Sequence, residues 1–136
     1  MPYGKMLLAL FTPLMSYLIF DLPLNYGWVH LVSNIGALPS FTLILILHHL
    51  PWGALFVACG AFSRYLVPNR AIYIIALSSG LMVAGYKAIM IRSYSESIGW
   101  EWILFQFALP PICVILGAFI SAKLLRRPSE ANNPNQ

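Results

Sequence analysis

A chain of 136 residues that is 60% hydrophobic and only 9% charged, with a mean hydropathy of +0.76, has the composition of a bilayer protein, since soluble domains carry about 25% charged residues. A perpendicular helix needs about 20 residues to cross the hydrocarbon, so the length is used up by four or five spans and leaves no room for a soluble domain. The net charge of +4 comes from basic residues scattered singly, apart from Lys123, Arg126 and Arg127, a pattern of topology signals that excludes nucleic acid as a partner. The two cysteines, Cys59 and Cys113, lie in apolar stretches where free Cys behaves as a small hydrophobe, so no disulfide, metal or cofactor is expected.

Lys5 and the apolar residues after it resemble the start of a signal peptide, but no small-x-small cleavage site follows. The first span is therefore read as retained, over 4–22, closing at Asp21 with Pro23, Asn25 and Gly27 as a turn-rich connection. The second begins near 28–34 and is most apolar over 35–47, with Pro39 expected to kink it or mark its start. His48, His49, Leu50, Pro51 and Trp52 form a border. The third span is short, 53–67, with Arg64 and Tyr65 near its end, before the turn Pro68, Asn69 and Arg70.

The fourth span, 71–91, contains Ser78, Ser79, Gly80, Ala84 and Gly85, small residues that let a neighbouring helix approach closely. Residues 92–102 are polar and aromatic, with Glu96, Glu101, Trp100 and Trp102 at a membrane interface. The fifth span, 103–125, is broken by Pro110 and Pro111, and residues 126–136 are expected to be a disordered polar tail. The sequence thus predicts a single all-α, polytopic integral membrane domain over 1–125, with about five helices and four as the alternative. With five spans, Arg64, Arg70, Lys123, Arg126 and Arg127 share one side, and Lys5, Lys87 and Arg92 the other. The excess places the C-terminus in the cytoplasm of a multi-pass cell membrane protein.

Arg64 is the ionisable residue that stands out, because it ends an uninterrupted apolar run, and a charge at the centre of a span costs about 2.5–3.5 kcal/mol on insertion scales. It is expected either to snorkel beside Tyr65 or to join a buried polar cluster with Asp21 and Asn34. His48 and His49 are candidate pH sensors. Adjacent histidines on a helix point about 100° apart, so they would not chelate one ion well. His30 and Asn34, four apart, are similar to the oxyanion residues of rhomboid proteases, but Ser79 and Gly80 lack the preceding glycine of GxSG and no late histidine supplies a base. The stretch Cys59 to Tyr65 partly echoes small fluoride channels without their pore asparagine. Asp21, Glu96, Glu101 and Glu130 form no acid and base pair, and an enzyme is not expected.

The stretch from Asn34 through Leu38 and Pro39, the apolar run 41–47, the turn ending at Gly53, the helix from Ala54, and then Arg64 and Tyr65 resembles the transmembrane receptor region of the LytS and KinB type. That five- or six-span module precedes bacterial histidine kinases and diguanylate cyclases. Members commonly have Asp-Leu-Arg before the proline, where this chain reads Asn34, Ile35 and Gly36. The resemblance implies a membrane-embedded sensory or signal-transduction module lacking its own output domain. Its partners would be the bilayer and either a kinase or other signalling protein or a second copy of itself. The alternatives are a phage holin-like permeabilising protein and a small transporter or accessory subunit.

Overall fold

The computed structural model describes residues 2–35, 40–92 and 100–125. Among them the chain forms four helices, α1 (Pro2–Ile35), α2 (Phe41–Leu66), α3 (Ile72–Arg92) and α4 (Trp100–Leu125). All four are long and apolar enough to cross a membrane, so the architecture is the expected all-α helical bundle, with four such helices, the alternative count, in place of the favoured five. The expected break at Pro39, the acidic connection around Glu96 and the tail 126–136 lie outside the described residues.

The difference in span number arises at two places. The expected border from His48 to Trp52 is interior helix, so the second and third spans merge into α2. Pro51 removes one backbone donor from the ladder, but interrupting the helix there would strand many more backbone groups in hydrocarbon. The first expected span does not stop at Asp21 either. α1 runs on through Pro23, Asn25 and Gly27 to Ile35, and Asn25 Nδ2 donates to Asp21 Oδ1 one turn back at 3.0 Å. At 1.5 Å per residue its 34 residues give a helix of about 51 Å, longer than the bilayer core.

Local chemistry sets the visible helix ends. Ser40 caps α2, its hydroxyl accepting from the Leu43 amide at 3.2 Å, which satisfies one of the orphan donors of the first turn. Between α2 and α3, Pro68 cannot continue a helical ladder, and Asn69 Oδ1 accepts from the Ala71 amide at 3.1 Å, a side-chain turn that starts the next helix.

Close backbone contacts hold the bundle together. α2 and α4 run parallel and cross at two glycines: a Cβ at Gly60 would collide with the Val114 carbonyl, and one at Gly117 with the Val57 carbonyl. α3 lies antiparallel to α4 and meets it at Gly80, where a Cβ would strike the Pro111 ring. The expected break at Pro110 and Pro111 is instead continuous helix whose lost amides sit at this contact. Small residues at such crossings are the usual means by which membrane helices approach. α1 packs on α2 and α3, with Ala9 and Pro13 fully buried. Its other faces expose Leu7, Leu8, Met15 and Ile19, an apolar exterior suited to lipid rather than water.

Candidate functional site

Lys87 lies at the centre of the polar interior. Along α3 it is about 22 Å from Ile72 and about 8 Å from Arg92 at the helical rise, and it is only 3% exposed. Its ammonium donates to Gln106 Oε1 on α4 at 2.8 Å. Three aromatic rings enclose the remaining directions, with Nζ at 4.9 Å from the Tyr17 ring centroid on α1, 5.4 Å from Trp52 and 5.6 Å from Phe56 on α2. Ring faces attract a cation, and more strongly once water is removed. One lysine therefore touches every other helix of the bundle. Tyr17 in turn packs on Trp52 at 4.9 Å between centroids and edge-on to Tyr86 at 5.9 Å, so the cage is rigidly supported.

The register explains the pairing. Lys87 stands five residues before the end of α3 at Arg92, and Gln106 six residues after the start of α4 at Trp100. In an antiparallel pair these positions fall at the same height. Asp21 lies one turn beyond Tyr17 on α1, on the same face of that helix.

His48 and His49 sit directly above the cage. The His49 Nδ1 lies 2.8 Å from the Leu45 carbonyl, and because a carbonyl can only accept, Nδ1 carries the proton. In the neutral imidazole this leaves Nε2 as a lone-pair acceptor, and it is buried without a hydrogen-bond partner, as is His48 Nδ1. The two rings meet edge to face, 5.0 Å apart between centroids at 77°, closer than side chains pointing about 100° apart were expected to come. Trp102 packs against both, at 4.7 Å from His48 and 4.8 Å from His49, and Trp28 lies 4.9 Å from His48. A cleft of about 270 Å³ between α1 and α2 reaches His48, lined also by Gly27, Trp28, Leu31, Pro51 and Trp52 among others. Its lining is mostly apolar, and it shares Trp52 with the cage around Lys87. Among the described residues no three His, Cys, Asp or Glu side chains converge on a common metal position.

The polar residues grouped from sequence occupy separate places. Arg64 lies in the last turn of α2, where Nη1 donates to the Asn69 carbonyl at 3.0 Å, and Tyr65 beside it is exposed. Ser63 contacts Ala9 of α1, and Asp21 is twelve residues further along that helix, about 18 Å away. Asn34 stands in the last turn of α1, with Nδ2 donating to the His30 carbonyl at 3.0 Å. Arg64, Asp21 and Asn34 therefore do not meet in one cluster, because the long α1 carries both of its polar residues towards the opposite end of the bundle.

Lys87 and Gln106 were not recognised as a site from the sequence, where Lys87 served only as a topology signal. Each interrupts an apolar run, and their near-equal distances from the α3–α4 connection were the available clue. Compared with protein-family models, curated proteins and solved structures, the chain matches none.

Proposed function

We propose that the chain is a multi-pass cell membrane sensory module whose input is read at Lys87 and the histidine pair above it. The observation that carries this reading is the contact of one buried ammonium with the other three helices. Ionisable residues inside a bundle are costly, and those that are present tend to mark functional sites. A ligand that enters the cleft and hydrogen-bonds His48 Nδ1, or competes with Gln106 for Lys87, changes the balance of contacts between α3 and the other helices. Such differential binding is what a shift between two packings requires. The resemblance of residues 34–76 to LytS and KinB receptor regions points the same way, and a kinase or another signalling protein, or a second copy of the chain, would receive the change.

Four spans put the start of α1 and the end of α4 at one end of the bundle, together with Lys5, Arg64, Arg70 and Lys123; Arg92 is at the other end. The rule that cytoplasmic segments carry excess Lys and Arg then makes both termini cytoplasmic. The cleft and histidine pair face the outer leaflet, a placement suited to an external or membrane-borne stimulus.

The test is genetic. The strain carrying Lys87→Gln, with membrane abundance matched to wild type, is compared with the deletion strain by genome-wide transcript profiling. A common set of altered transcripts supports the sensory reading. Loss of membrane potential on induced expression of the wild-type chain, or a deletion that leaves the transcript profile unchanged, contradicts it.

A further inference from the structure

At the end of the bundle that holds the start of α1, the turn between α2 and α3 and the last turns of α4 enclose a recess of about 650 Å³ lined by Arg64, Arg70, Tyr73, Phe119 and Lys123 among others. All the charged residues that line it are cations. Arg64 is folded back onto the turn by its bond to the carbonyl of Asn69 at 3.0 Å, the residue before Arg70, and both arginines line the recess. Lys123 lies over the Phe119 ring with Nζ 5.4 Å from the centroid, so its stem follows the helix and its head faces the recess. A second, apolar groove of about 530 Å³, lined by Leu116, Ile120 and Leu124, shares Phe119 and Lys123 with the first.

The geometry points to a binding site for one anionic phospholipid, its phosphate between Arg64, Arg70 and Lys123 and an acyl chain along the groove on α4. The two recesses join at Phe119 and Lys123, the order in which a lipid presents headgroup and chain. Basic recesses between helices at a cytoplasmic surface are suited to anionic headgroups. Arginine offers paired donors to phosphate oxygens, while lysine contributes a point charge. A free phosphate would use the first recess alone and leave the groove unused.

The test is native mass spectrometry of the chain released from nanodiscs containing equal phosphatidylglycerol and phosphatidylcholine. Wild type retains one phosphatidylglycerol in preference to phosphatidylcholine, and each of Arg64→Gln, Arg70→Gln and Lys123→Gln lowers retention by about fivefold. Lys5→Gln, a cation at the same end but outside the recess, leaves it unchanged. Arg70→Gln removes an exposed side chain, so it reports even if the Arg64 variant does not fold. Equal retention of both lipids, unchanged retention in the Arg70 and Lys123 variants, or binding of inorganic phosphate that displaces no lipid would overturn the proposal.

Discussion

The hydroxyl of Ser63 on α2 donates to the carbonyl of Ala9 on α1 at 3.2 Å, and that carbonyl is the one Pro13 leaves without its intrahelical donor. Proline four residues on has no N–H to offer, and in lipid no water replaces it. Ser63 is fully buried. A side chain of one helix thus repairs the ladder of another and fixes their register. Ser63→Ala should cost about 1 kcal/mol of bundle stability. In a Pro13→Ala background, where Ala9 regains a partner within its own helix, the cost should fall towards zero. Thermal unfolding of the four proteins in one detergent gives the coupling, and equal costs in both backgrounds would remove the assigned repair.

The glycines divide by what faces them. Gly60→Ala and Gly117→Ala each drive a methyl into the backbone of the partner helix, and overpacking of this kind costs about 1–3 kcal/mol. Gly85, in α3, has nothing within 4 Å of an added Cβ, so Gly85→Ala should be neutral or stabilising by up to about 1 kcal/mol. Melting temperatures of the three variants check this order. A Gly60→Ala protein as stable as wild type would mean that α2 and α4 do not cross where described.

The bond between Lys87 and Gln106 predicts a specific pattern of non-additivity. Gln106→Leu removes the hydrogen-bond acceptor from a buried ammonium and should cost about 1.5–3 kcal/mol. Lys87→Met alone leaves Gln106 unpaired and should also destabilise. The double variant replaces a polar pair with apolar atoms of similar volume and should recover much of the loss, as buried pairs do when both partners are replaced. Additive losses in the double-mutant cycle would show that the two side chains do not interact.

Topology follows from the number of spans. Reporter fusions at residue 1 and residue 136 should both report the cytoplasmic side, and a cysteine introduced at Asn69 should react with impermeant reagent only from that side. Opposite locations for the two termini would restore an odd number of spans.

The helical class and the extent of the last two apolar helices were legible from hydropathy, because a long apolar run in lipid must satisfy its own backbone and does so as a helix. The borders inside the first half were not. His48, Pro51, Pro23 and Gly27 are turn residues by the rules for soluble proteins, yet neighbouring helices and the cost of exposed backbone keep α1 and α2 continuous. The small residues of α3 were read correctly at Gly80, whereas Gly85 is open and the crossing at Gly60 and Gly117 depends on two helices distant in sequence. For the same reason the site was missed. Arg64 drew notice as the charge that ends a run, while Lys87 gains its meaning only from Gln106, Tyr17 and Trp52 on other helices.

Lysine NMR reads out whether Lys87 is held inside the bundle by Gln106 and three rings. The chain has only Lys5, Lys87 and Lys123, so protein labelled with carbon-13 at the lysine ε position and placed in nanodiscs gives a simple spectrum. One resonance should be shifted upfield by ring currents, disappear in Lys87→Met and move in both Trp52→Phe and Gln106→Leu. Three resonances at the positions of solvated lysine, unaffected by those substitutions, would contradict the caged lysine and the sensory reading that rests on it.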